Sequence, residues 1–170
     1  GKSLVYFICS KLIREKGGGT AIVVSPLLVL MNNQLEAAEK MGLRCTVLSG
    51  SVKDEREDIL AAAAKGYYDL IIVTPETLFS DDVRETISRM NIGLFVVDEA
   101  HCISDWGHDF RMEYGRLRSV VANLPQNVPL LATTATANDR VIEDLKIQLG
   151  GDVYLSRGSL HRESLYIQVS

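Results

Sequence analysis

What this sequence of 170 residues lacks narrows its class before any motif is read. No apolar run approaches the roughly 20 residues of a membrane-spanning helix, and no charged-then-apolar leader opens the chain, so the expectation is a soluble cytoplasmic protein without a membrane partner. Repeats, low-complexity tracts and long linkers are missing too, and the length suits one domain around a single core. The three cysteines, Cys9, Cys45 and Cys102, are odd in number and form no C-x-x-C pair, which speaks against a disulfide framework and against a zinc site. There is no excess of positive charge: 18 basic side chains against 22 acidic ones leave a net charge of −4. A global electrostatic footprint for nucleic acid is therefore absent, and any such binding must come from a local groove.

What is present is an ordinary globular balance, 46% hydrophobic and 24% charged, with a regular alternation of patterns. Short β-branched runs predict strands at 20–24, 44–48, 69–73, 93–97, 129–133 and 152–156. Stretches with apolar residues three and four apart predict helices at 2–16, 27–41, 53–65, 82–90, 114–123 and 138–149. The first places Leu4, Val5, Ile8, Leu12 and Ile13 on one face, and the glycines at 17–19 give it a C-terminal stop. Several strands are continuously apolar, as strands covered on both faces are. The economical fold is α/β: a doubly wound, mainly parallel sheet with helices on both faces.

In such sheets ligands bind outside the carboxyl ends of the strands. Those ends carry Ser25-Pro26, Thr74-Pro75-Glu76, Asp98-Glu99-Ala100-His101 and Thr134-Ala135-Thr136. "LFVVDEAH" is the strongest element, because an apolar strand ending in two carboxylates can hold a metal ion with one and direct a water with the other. Asp98 would hold Mg²⁺ and Glu99 would orient or deprotonate the water. The same pair can equally cap the following helix. The chain also opens on Gly1-Lys2-Ser3, the last three letters of a phosphate-binding loop. There Lys2 would contact the β- and γ-phosphates and Ser3 would complete the Mg²⁺ shell. Each signal is weak alone; in this order they reinforce one another.

Directly after the acidic pair, "CISDWGHDFRMEYGRLR" interleaves Trp106, Phe110 and Tyr114 with His108, Arg111, Arg116 and Arg118. That mixture suits stacking bases and meeting phosphates, although aromatics in such a run also pack into cores. Ser25-Pro26 and Thr74-Pro75 read as helix starts, with the hydroxyl residue as N-cap and proline at N1. Exposed N–H groups at such starts also suit phosphate oxygens. The run at 53–66 reads as a solvated helix face, His161 as a surface residue, and the cysteines as packing residues.

Taken in order, Gly-Lys-Ser, "SPLLVLMNNQ", "VTPETL", "DEAHCISDWGHDFRMEY", "TATA" and "RGSLHRESLY" make the chain similar to the first RecA-like motor domain of RecQ-type DNA helicases. The resemblance covers nearly the whole chain, and the Trp-Gly-His-Asp-Phe-Arg segment distinguishes it from RNA helicases. It implies a P-loop NTPase domain over residues 1–170, truncated at both ends and lacking its N-terminal strand. ATP and Mg²⁺ would be the cofactors, with Gly1, Lys2 and Ser3 as ATP-binding residues and Ser3 and Asp98 on the metal. Asp98 and Glu99 would be the catalytic carboxylates, and His101 would relay the nucleotide state. Trp106, His108, Phe110 and Arg111 would sense single-stranded DNA, Thr134 and Thr136 would link hydrolysis to unwinding, and Ser25, Pro26, Thr74 and Pro75 would meet the DNA backbone.

Three positions depart from the family pattern: Asp105 stands where Gln is usual, Met112 where Pro is frequent, and Asn33 where Asp is usual. The resemblance implies an ATP-dependent helicase moving 3′ to 5′ on single-stranded and partly duplex DNA, together with a second RecA-like domain of the same parent chain. Its location would be the bacterial cytoplasm or nucleoid, or the nucleus of a eukaryote. The fragment alone is expected to be inactive, and the missing strand is expected to leave a gap in mid-sheet. Two other readings remain: a DNA-stimulated ATPase or remodeller that does not unwind, and a non-catalytic nucleic-acid-binding module.

Overall fold

Three helix-to-strand junctions in the first half of the chain share one construction. Helix α1 (Lys2–Glu15) leads to β1 (Thr20–Val24), α2 (Leu28–Lys40) to β2 (Cys45–Leu48) and α3 (Arg56–Ala64) to β3 (Leu70–Val73). Each helix stops at a glycine in the left-handed region: Gly17 at φ 83°, Gly42 at 83° and Gly66 at 78°. After α1, Gly17 N–H donates to the Arg14 carbonyl at 3.0 Å and Gly18 N–H to the Ile13 carbonyl at 2.8 Å. That is the Schellman pairing, which satisfies the last orphan carbonyls and requires a residue that tolerates positive φ. Gly42 and Gly66 repeat it.

The computed structural model describes residues 2–26, 28–49, 55–103, 112–122, 124, 128–134, 139–149, 153–158 and 164–169. They fall into two compact units, Ser3–Phe95 and Val96–Ser170 with Gly1–Lys2. In the first unit the strand order is β2-β3-β1 and then β4 (Ile92–Val97), whose last two residues belong to the second unit. β1 and β2 both run parallel to β3, in register Ala21↔Leu70 and Cys45↔Leu70, with α2 and α3 as the helical crossovers that parallel pairing requires. Every residue of β1 and β3 is buried. Those two strands are continuously apolar for that reason. Gly19 and Gly93 allow a close backbone approach at the leading ends of β1 and β4: a Cβ on Gly93 would lie 2.6 Å from the Gly19 carbonyl oxygen.

The leading ends are tied together by Asp69, just before β3. Its carboxylate accepts from Arg14 Nε at 2.8 Å and from the Arg44 backbone N–H at 2.8 Å, while its carbonyl accepts from Ser10 Oγ at 2.9 Å. Arg14 also donates to the Gly66 carbonyl at 2.7 Å. These contacts explain a departure from the expected face of α1. The helix buries Tyr6, Phe7 and Ser10 and leaves Leu4, Ile8 and Leu12 about half exposed. The inward stripe is chosen by the polar partners that Ser10 and Arg14 find, against the simple apolar count.

In the second unit β5 (Leu130–Thr134) runs parallel to β6 (Val153–Gly158), which pairs antiparallel with β7 (Ser164–Val169). The α/β class with a mainly parallel sheet is what the chain forms. β5 and β6 pair directly, from Leu130↔Val153 to Thr134↔Arg157. β7 was not anticipated, although Leu165, Ile167 and Val169 alternate with Tyr166 and Gln168 as a strand requires. Three more helices lie close to expectation: α5 (Asp81–Arg89), α8 (Asp139–Leu149), and the predicted 114–123 helix, which is split at Arg116 into α6 (Met112–Gly115) and α7 (Leu117–Ala122). A short α4 (Pro75–Leu78) and a 3-10 turn (Ala100–Ile103) complete the elements. Among the described residues no helix is long and apolar enough to cross a membrane.

Candidate active site

The carboxyl end of β4 delivers Asp98 and Glu99 into a tight turn, followed by the 3-10 turn that carries His101. Asp98 is 5% exposed. Its Oδ1 accepts from Thr133 Oγ1 at 2.6 Å and from the Glu99 N–H at 3.0 Å, and its carbonyl accepts from the Tyr114 hydroxyl at 2.8 Å. A carboxylate fixed at one oxygen by two donors has a defined orientation for the other.

Glu99 has φ 53°, the only non-glycine residue with positive φ among those described. A left-handed glutamate costs of order 1 kcal/mol or more, and such strain persists only where surrounding structure over-determines it. The turn is held on both sides, since the Glu99 carbonyl accepts from Cys102 N–H at 3.0 Å and Asp98 is fixed as above. The Glu99 side chain is more open than that of His101, 20% against 5% exposed. His101 Nδ1 lies 2.8 Å from Thr134 Oγ1 and 3.5 Å from Glu99 Oε2. Successive residues of a strand project to opposite faces, so the neighbours Thr133 and Thr134 serve two different partners, Asp98 and His101.

Asp98, Glu99, His101 and Thr134 are thus brought together within one unit. The other expected residues are distributed as follows. Lys2 and Ser3 form the first turn of α1. Gly1, Trp106, His108, Phe110, Arg111 and Thr136 lie outside the described residues. Thr74 is the N-cap of α4 with Pro75 at N1, as expected, but its hydroxyl is buried and used internally, accepting from Thr77 N–H at 3.4 Å and donating to Thr77 Oγ1 at 2.7 Å. Ser25 does not cap a helix: α2 starts three residues later, its N–H donates to the Val73 carbonyl at 3.0 Å, and the residue is 1% exposed. Tyr114 is fully buried and holds the Asp98 carbonyl, so the packing alternative applies to that aromatic.

Two contributors escaped the sequence reading. Thr133 precedes the threonine that was singled out, and Tyr114 was grouped with base-stacking aromatics. The run Thr133-Thr134 at a strand end was the available signal, because adjacent hydroxyls there can serve two partners.

The donor set fits Mg²⁺, a hard cation that takes oxygen ligands and is commonly held by one or two carboxylates while keeping several waters. Among the described residues no cluster of three or more His, Cys, Asp or Glu side chains could form an all-protein metal cage.

The sequence profile of the DEAD/DEAH box helicase family matches residues 1–145. The chain is similar to the ATP-dependent helicase SGS1 of Saccharomyces cerevisiae, 34% identical over 178 residues, covering 100% of this chain and 12% of that protein. It is also similar to the ATP-dependent DNA helicase RecQ of Bacillus subtilis, 35% identical over 150 residues, covering 88% of this chain and 25% of that one. The chain therefore spans a quarter or less of the length of these relatives. In fold it matches the crystal structure of the Pyrococcus furiosus Hef helicase domain with a TM-score of 0.68 at 21% identity, covering 95% of this chain and 34% of that one.

Proposed function

This chain belongs to the DEAD/DEAH box helicase family, and we propose that it is the first motor domain of a RecQ-type ATP-dependent DNA helicase. The single observation that carries the reading is the Asp98–Glu99–His101 turn, held by Thr133, Thr134 and Tyr114. Similarity to RecQ-type relatives directs that turn toward DNA.

Asp98, oriented by the Thr133 hydroxyl, and Ser3 would hold Mg²⁺, which supplies charge neutralisation on the phosphates when bound. Gly1 and Lys2 would bind the ATP phosphates at the start of α1. Glu99 would orient the attacking water and accept its proton. His101, touching both Glu99 and Thr134, would report the state of that carboxylate to the end of β5. The segment with Trp106, His108, Phe110 and Arg111 would stack and pair with single-stranded DNA, while Ser25, Pro26, Thr74, Pro75 and Thr136 contribute to backbone contact and coupling. Because the Ser25 and Thr74 side chains are buried, backbone placement is the contribution that fits them.

Movement from 3′ to 5′, a second RecA-like domain as intramolecular partner, partly duplex DNA as substrate, and inactivity of residues 1–170 alone complete the proposal. The test is ATP hydrolysis by the full-length parent, with and without single-stranded DNA, for the natural sequence, Glu99→Gln and Trp106→Ala. The expected result is DNA-stimulated hydrolysis that Glu99→Gln abolishes and from which Trp106→Ala removes only the stimulation. Absence of hydrolysis overturns the reading in favour of a non-catalytic binding module, and hydrolysis indifferent to both changes overturns the assigned roles of Glu99 and Trp106.

A further inference from the structure

Helix α2 buries few of its described side chains, and one of them is out of place. Ala38 is 0% exposed and Gln34, one turn earlier, is 8% exposed. An amphipathic helix calls for an apolar residue at that position of its inward stripe. The Gln34 amide instead donates from Nε2 to the hydroxyl of Tyr6 at 2.6 Å, and Tyr6 is 0% exposed. Tyr6 is fixed in turn by an edge-to-face contact with Phe7, centroids 5.1 Å apart.

What distinguishes this bond is where its two ends lead. Tyr6 stands three residues after Ser3 and four after Lys2, where α1 starts, about one turn along the helix. Gln34 stands six residues into α2, about 9 Å along its axis. That helix begins three residues after Ser25, whose backbone is pinned to β3 through its N–H. The bond thus joins helix α1, from Ser3 onward, to the helix that follows the Ser25-Pro26 segment, within the unit Ser3–Phe95. A hydrogen bond between buried groups is directional: sliding or rotation of either helix breaks it, whereas an apolar contact of the same shape tolerates such motion.

We infer that Tyr6 and Gln34 are positioning residues that couple nucleotide occupancy at the start of α1 to the DNA-facing segment before α2. This rests on the motor reading above. Displacement of α1 when phosphates bind is carried through the Oη···Nε2 bond into α2, and through it to Ser25 and Pro26. Both side chains are buried, so their loss changes the coupling and leaves the hydrolytic groups in place.

The experiment uses the full-length parent with Tyr6→Phe, Gln34→Met and the double variant, measuring ATP hydrolysis alone and with a single-stranded oligothymidylate. The expected result is a roughly tenfold fall in the ratio of DNA-stimulated to DNA-free kcat for each single variant, with the DNA-free rate within about twofold. The double variant should lose no more than either single one, since both remove the same bond. A ratio unchanged while the melting temperature falls makes the bond a structural tie only and overturns the inference. So does an equal fall in both rates. If Gln34→Met does not fold, Tyr6→Phe, which removes one oxygen, decides alone by the same ratio. A parent enzyme that DNA fails to stimulate before any substitution overturns the motor reading itself, and this inference with it.

Discussion

Two buried aspartates, one just before β3 and one just after β4, show how one residue type serves scaffold and site. Asp69 precedes β3 and is held by the Arg14 guanidinium and the Arg44 amide, with the Arg44 guanidinium 3.7 Å away. Asp98 follows β4 and is held by a threonine hydroxyl and by the next residue's N–H. A carboxylate matched by an arginine has its charge answered within the fold. One oriented by a hydroxyl and an amide N–H presents oxygen of the kind a hard cation takes. Strand polarity agrees, because ligands in α/β sheets gather at the carboxyl ends, where Asp98 lies.

The comparison can be broken by substitution. The largest effect is expected at the site: Glu99→Gln in the full-length parent should lower kcat for ATP hydrolysis by at least about a thousandfold with the fold intact, as loss of a proton acceptor does. Steady-state kinetics beside a thermal melt would check this, and residual activity above a tenth would remove Glu99 from its assigned role. Thr133→Val, which frees Asp98 Oδ1 of its hydroxyl partner, should reduce hydrolysis or Mg²⁺ affinity by about 10- to 100-fold, measured by Mg²⁺ titration of the rate.

Asp69→Asn should behave in the opposite way. It breaks a charge-assisted pair and should cost about 2–3 kcal/mol in urea unfolding while leaving kcat within about twofold. A variant that keeps its stability but loses activity would reverse the assignment of scaffold and site. The smallest effect concerns Cys45, whose thiol is pushed up to about 12, first by burial and then by the charges of Glu39 and Asp69. At pH 8 it should react with iodoacetamide at least about a hundredfold more slowly than a free cysteine, because the thiolate is the nucleophile. Asp69→Asn should speed that reaction slightly; no change would show that burial and Glu39 set the thiol without Asp69.

The sequence was legible where local physics decides. The apolar runs "AIVV" and "LIIV" read as strands covered on both faces, and the structure buries every residue of β1 and β3. Thr74-Pro75 read as a helix start because cap and proline act within one turn, and α4 begins there. The glycine stop after α1 followed from the left-handed geometry that Gly17 adopts. The adjacent carboxylates of "LFVVDEAH" announced a site because a strand end holds both at one rim.

Other features depended on partners far along the chain. Helical periodicity put Leu4, Ile8 and Leu12 inward, yet Ser10 and Arg14 face the fold because Asp69 lies 59 and 55 residues away to receive them. Tyr114 looked like a base-stacking aromatic and proved to be the donor to Asp98's carbonyl, 16 residues distant. Thr133 and Thr134 said little as a pair until β5 placed one hydroxyl on Asp98 and the other on His101. The alternation of helix and strand, the polar rim and the acidic pair follow from periodicity and backbone preference within a few residues. Which polar groups meet depends on packing, because a hydrogen bond between residues 28 or 35 positions apart leaves no local pattern.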